Sequence, residues 1–187
     1  MKPLSQGIKR ILVFTTLIFI ISIAYYIYAL SFYGPVEEKE TFLSDIGESF
    51  GELGMWLLLF IYMRTFLKLV LGKGPITKRL LPEYSAPIES KLIDRLIYFL
   101  DKTHIYFGII AVAALLLHTV LKGIPLHILF FPALLVLIIW QGMFGLFISW
   151  QYTPNKVKRF SYLVHAQLFT GIMIGIFAYF GHILIES

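Results

Sequence analysis

Between Lys102 and Leu121 the chain runs through an almost unbroken apolar stretch, yet two histidines, His104 and His118, lie within it. About 20 apolar residues at about 1.5 Å rise cross a hydrocarbon core of about 30 Å, so this segment is predicted to be a membrane-spanning helix. A polar ring in such a helix is unfavourable unless it faces the bundle interior and finds a partner there. The rings are 14 residues apart. On a helix that puts them roughly 21 Å apart along the axis and within about 40° of one azimuth. Both therefore face the same neighbour, one towards each membrane surface.

Composition extends this reading to the whole chain. Of its 187 residues 58% are hydrophobic and only 14% charged, with a mean hydropathy of +0.81. That is too apolar for a soluble core and predicts an all-α integral membrane protein, multi-pass in the cell membrane. Cysteine is absent, which excludes disulfides, thiolate metal sites, iron–sulfur clusters and Cys-tethered haem. The net charge is +5, but its Lys and Arg residues sit between apolar runs, so it reads as topology information and not as a nucleic-acid footprint. Lys9-Arg10 precede an apolar stretch too long for a signal-peptide core and without a small-residue cleavage site, which predicts an uncleaved first span.

Five spans are expected, over residues 11–32, 50–71, 102–121, 127–150 and 160–184, as a single transmembrane domain. Span 1 has no charge and no histidine. Pro35 ends it, and an acidic loop with Glu37, Glu38, Glu40, Asp45 and Glu48 follows. Span 2 carries Arg64 and Lys68 near its end and Glu52 near its start. All three either snorkel to the nearest interface or, for Arg64, reach a haem propionate, because a guanidinium fork suits a carboxylate. The loop over 72–101 holds Pro75, Pro82 and Pro87, with apolar residues at helical spacing from Ile88 to Leu100, so it is expected to be cytoplasmic and to contain an interfacial helix. It is also the candidate surface for a soluble electron partner. A short turn at Lys122–Pro125 makes span 4 an antiparallel neighbour of span 3, and Gly142 and Gly145 would permit close contact. A basic turn, Asn155–Arg159, leads to span 5. Basic segments alternate with acidic or sparsely charged ones so that the N-terminus is predicted inside and the C-terminus outside. No internal repeat or low-complexity segment is apparent.

Spans 3 and 5 run parallel, and each carries two histidines: His104 and His118 on one, His165 and His182 on the other. Paired inner with inner and outer with outer, they would supply two axial ligands each to one or two haems. The spacing on span 5 is 17 residues, which on an ideal helix turns the two rings about 100° apart. The inner site therefore ranks above the outer one unless the helix deforms at Gly171, Gly175 or Gly181. Those glycines, like Gly108, either pack helices closely or leave room for a flat porphyrin. His127, beside Pro125, is read as a turn residue. A tetrahedral metal site would need four converging groups, whereas these residues are spread across the bilayer.

Leu92-Ile-Asp-Arg-Leu96, His104-Ile-Tyr-Phe-Gly108 and Leu115-Leu-Leu-His118 resemble the ferric-reductase-like transmembrane domain, whose pattern is a His, a Gly four residues on, an apolar run and a second His. The resemblance covers residues 50–185. It implies two b-type haems between the third and fifth helices, with His104, His118 and His165 in ligand positions. His182 departs from that family's spacing. The chain also resembles the five-span cytochrome b subunits of quinol-linked respiratory enzymes, which accommodate longer spacing.

The combined expectation is a transmembrane cytochrome b that carries electrons through one or two bis-His haems, an oxidoreductase subunit needing a redox partner chain and having no catalytic residue of its own. The alternatives are a quinone-reactive anchor subunit and, from another class, a haem-free transporter or assembly factor. Apart from Glu52 near an edge, no acid sits mid-span to bind ions or protons, which counts against the last.

Overall fold

Glycine ends the first helix and a capping hydroxyl starts the second. The computed structural model describes residues 6–34, 41–74, 77–78 and 90–186. Among the described residues six helices follow in order: α1 (Gln6–Tyr33), α2 (Phe42–Val70), α3 (Lys91–Lys122), α4 (Phe130–Ser149), α5 (Asn155–His165) and α6 (Leu168–Glu186). The protein is all-α. α1, α2, α3, α4 and α6 are long and apolar enough to cross a membrane, the make-up of a multi-pass membrane protein. Their outer faces agree: Val13, Leu59, Ile109 and Val136 are all exposed along the spans, a surface that only lipid would cover.

α1 stops at Gly34, whose φ of +72° suits only a residue without Cβ and lets its N–H reach Leu30 O at 3.2 Å. α2 begins earlier than the expected residue 50. Thr41 is extended, and its hydroxyl accepts from the Ser44 N–H at 3.2 Å, a cap that starts the helix at Phe42. Asp45 and Glu48, expected in the acidic loop, therefore sit in the first turns of α2, where the helix dipole favours them. Glu37, Glu38 and Glu40 lie outside the described residues.

Two further expectations are corrected. The interfacial helix and span 3 are one continuous helix of 32 residues, since no proline interrupts Lys91–Lys122; Pro75, Pro82, Pro87 and Ile88 lie outside the described residues. Span 5 is two helices, not one, and the basic turn at Asn155–Arg159 is the first part of α5. The break comes directly after His165. The Ala166 N–H reaches back to Tyr162 O at 3.1 Å and the Gln167 N–H to Val164 O at 3.2 Å, tightening the last turn of α5 before α6 starts at Leu168.

α2 and α3 are antiparallel and form the tightest pair, α1 and α4 pack on α6, and α4 also touches α3 and α5. α3 and α6 are not closely packed backbone to backbone. Glycines set the α2–α3 contact. A Cβ at Gly47 would lie 3.0 Å from Leu121 Cβ, and one at Gly54 would lie 2.6 Å from Leu115 Cγ. Ion pairs hold the same two helices at both ends: Arg64 and Lys68 with Asp101 at 2.5 and 2.6 Å, Lys73 with Asp94, and Lys122 with Glu48 at 3.6 Å. A separate apolar cluster, Ala29, Ile128, Phe130, Phe180 and Leu184, joins α1, the turn before α4 and α6. Tyr25 reinforces it, its hydroxyl accepting from the Leu129 N–H at 2.8 Å.

Gly54→Leu should destabilise the α2–α3 pair by about 1–3 kcal/mol, the usual cost of overpacking. Thermal unfolding of the detergent-solubilised protein should show a lowered midpoint, and an unchanged one would contradict the contact.

Candidate functional site

The four span histidines meet in two pairs across the space between α3 and the α5–α6 arm. His104 of α3 faces His165 at the end of α5, with ring centroids 6.0 Å apart and planes at 71°. His118, farther along α3, faces His182 of α6, with centroids 6.2 Å apart and planes at 19°. The pairing is the one expected, inner with inner and outer with outer. The expected ranking of the two sites is not supported, because the second pair closes as well as the first. Its cause is the break at Ala166–Gln167, which frees His165 from the azimuth that an ideal helix through His182 would impose. The deforming point is therefore not at Gly171, Gly175 or Gly181, all of which lie inside α6.

Backbone carbonyls fix three of the four rings. His118 Nδ1 lies 2.9 Å from Gly47 O of α2, His165 Nδ1 3.1 Å from Gln141 O of α4, and His182 Nδ1 2.7 Å from Ala178 O one turn back. A carbonyl can only accept, so each Nδ1 carries the proton and donates it, which assigns Nε2 as the nitrogen for a metal. This outer-shell bond is the usual companion of imidazole ligation. His104 differs: its Nδ1 is buried without a hydrogen-bond partner.

Glycines seat the rings. A Cβ at Gly51 would lie 2.6 Å from His118 Nδ1, and one at Gly145 would lie 3.1 Å from His165 Cε1. Gly142 meets Val112 and Gly171 meets the Tyr62 ring, so both serve helix packing. Gly108 and Gly175 have nothing within 4 Å of an added Cβ, so there the backbone borders open space. Gly108 is one turn from His104 on the same face of α3, and Gly175 is two turns from His182 on the same face of α6. The inner rings are half-buried, whereas His182 and Gly175 are exposed, so the space opens towards the outer pair.

These features test the fit of haem. Two imidazoles on opposite sides of one metal, each bonded at about 2 Å, place their ring centroids roughly 6 Å apart, the separation of both pairs. The porphyrin supplies the other four ligands, so two histidines per site suffice. Among the described residues no cluster of three or more His, Cys, Asp or Glu side chains could hold a bare ion. Open backbone at Gly108 and Gly175 provides room for a flat ring, and the orphaned His104 Nδ1 and Ser161 Oγ provide unspent polar groups near the inner pair. Ser161, fully buried one turn before His165, was not singled out from sequence. The residues present fit the group.

Arg64 stands beside the inner pair, within electrostatic reach of both His104 and His165. Its Nε bonds Asp101, which Lys68 also bonds. Two cations thus share one carboxylate, and the guanidinium retains its Nη groups for a second. His127 lies in the turn before α4, not at the start of the helix, and its ring is tilted against Tyr33 with centroids 5.2 Å apart.

Gly51 and Gly47 were also missed. Their signal was present in Gly47-Glu-Ser-Phe-Gly51, a small-x-x-x-small spacing.

In haem-free protein, Gly108→Ala should raise the unfolding midpoint slightly, since helix propensity alone acts there, by about 1 kcal/mol. Gly171→Ala should lower it, because the new Cβ would lie 2.5 Å from Tyr62 Cε1. Thermal scans of the two variants check this, and the reverse order would contradict an open cleft at Gly108.

No family model, no curated protein and no solved structure matches the chain.

Proposed function

We propose that this protein is a transmembrane b-type cytochrome, which carries electrons across the membrane through two bis-histidine haem sites and works with a redox partner chain. The observation that carries the reading is the pair of facing imidazole couples at 6.0 and 6.2 Å. Three of their four rings are also oriented by an Nδ1–H bond to a backbone carbonyl. Haem bound at such sites supplies a one-electron iron couple, tuned by its ligands and by burial. The chain's own residues do the rest. His104 with His165 and His118 with His182 would hold the haem iron. Gly108 and Gly175 would leave the space, and Arg64, within electrostatic reach of the inner pair, would be the partner for a propionate.

Topology follows the charges. The N-terminus, the segment before α3 and the start of α5 carry the basic residues and lie inside, which puts the His104–His165 site at the inner surface and the His118–His182 site at the outer one. In resemblance this is the ferric-reductase-like arrangement.

A pyridine-haemochrome assay on protein expressed with ample haem should give close to two b haems per chain. His104→Ala or His165→Ala should remove the inner one, and His118→Ala or His182→Ala the outer. A colourless preparation of folded protein would remove the proposal.

A cavity of about 470 Å³ favours a second reading, in which the electron donor or acceptor is a quinone. Phe14, Val136, Leu137, Trp140, Gln167, Phe169, Thr170 and Met173 line it, opening between α1 and α4 over α6. Trp140, Gln167 and Thr170 offer three hydrogen-bond donors to the carbonyl oxygens of a quinone, and Gln167 is two residues from His165. Gln167→Leu with Thr170→Val should slow quinol-driven haem reduction about tenfold, the worth of about one lost hydrogen bond, and leave the haem spectrum unchanged. Stopped-flow absorbance checks this, and an unchanged rate would return the choice to a soluble partner.

A further inference from the structure

The junction between α4 and α5 belongs to neither histidine pair. No acidic residue occurs between Asp101 and Glu186, yet Lys156, Lys158 and Arg159 cluster in the first turns of α5. None of the three has an ion-pair partner among the described residues. Pro154 occupies the N-cap of α5 and gives no side-chain cap, so the N–H groups of that first turn also face outwards uncapped. Immediately before it, Thr153 is only 9% exposed, and its hydroxyl has no hydrogen-bond partner. Thr153 lines a cavity of about 180 Å³ together with Phe147, Trp150, Tyr152, Pro154 and Val157.

Cations and an uncapped helix start both seek an anion. The cavity beside them is apolar. Trp150 and Tyr152, the two amphipathic rings there, are 51% and 77% exposed at the end of a membrane-spanning helix, where such rings settle at the headgroup level. Phe160 and Leu163 continue the apolar exposure along α5. A ligand that meets all of this has a phosphate at one end and a glycerol-acyl body at the other.

We propose that the α4–α5 junction is a binding site for an anionic phospholipid, with its phosphate held by Lys156, Lys158, Arg159 and the first turn of α5, and its glycerol end in the Thr153 cavity. The charge complementarity and the apolar cavity at membrane depth commit the site to a lipid and not to free phosphate. The proposal does not require haem. If His165 is a ligand, as proposed above, there is a consequence: α5 ends at His165 and is cut from α6 by Ala166–Gln167, so a lipid fixed at the start of α5 holds the ligand at its end.

The test uses the full chain with Trp56→Phe and Trp140→Phe, so that Trp150 alone reports. It is reconstituted in phosphatidylcholine vesicles containing a minor fraction of bromine-labelled phosphatidylglycerol or bromine-labelled phosphatidylcholine. Bromine quenches tryptophan on contact. The labelled phosphatidylglycerol should quench Trp150 more strongly, and each of Lys156→Gln, Lys158→Gln and Arg159→Gln should weaken the apparent affinity for it about fivefold. High salt on the unaltered chain should abolish the preference, which keeps the test open if a variant fails to fold. Equal quenching by the two lipids, or a preference that survives all three substitutions, overturns the site. Loss of the preference to inorganic phosphate overturns the lipid in favour of a free anion. Any bound pigment would quench Trp150 equally in both labelled lipids, so the difference between them stands or falls apart from it.

Discussion

An imidazole carried into hydrocarbon needs a partner at each nitrogen, and the arrangement of this bundle follows from meeting that need at Nδ1. His118 is served by the Gly47 carbonyl, which is near enough only because Gly47, Gly51 and Gly54 bring α2 against α3 with no side chain between. His165 is served by the Gln141 carbonyl of α4, and Gly145 makes the seat for its ring. His182 uses its own helix. The glycines are thus less a flexibility device than a means of bringing backbone acceptors to ring donors. With Nδ1 committed on three of the four rings, the two pairs meet with centroids 6.0 and 6.2 Å apart between helices α3 and α6 that are not closely packed on each other.

The break between α5 and α6 has the next largest effect. A helix repeats its azimuth every 3.6 residues, and a 17-residue interval cannot bring two rings to one face. Two short helices with a tightened turn between them are free of that rule. Because the turn follows His165 directly, the His165 end of α5 is positioned by contacts with α4, and α6 is positioned by α1 and α4.

Charge is arranged around the same frame. Arg64 and Lys68 converge on Asp101 at the end of the α2–α3 pair nearest His104, and Lys122 meets Glu48 at the other end. At the first of these ends two cations meet one carboxylate, so the region beside the inner rings remains positive. Such partly exposed pairs add little stability individually, and their larger effect is to choose what an approaching anion meets.

The sequence by itself determined the helical class and the number of long apolar helices, both of which follow from local periodicity, which a one-dimensional pattern records in full. The order of the spans pointed to inner histidine with inner and outer with outer, but the 17-residue interval from His165 to His182 set the outer pair against periodicity. The sequence also carried the Gly47–Gly51 spacing, although nothing in the pattern says which helix the glycines approach. Only the tertiary structure decided that α2 starts at the Thr41 cap, that α3 runs on from Lys91 without a joint, and that the last span divides after His165. It likewise decided that Gly171 packs while Gly108 and Gly175 border open space. The physical reason is common to all of these: a cap, a break or a void is settled by which carbonyl, ring or side chain arrives from another helix, and that neighbour is distant along the chain.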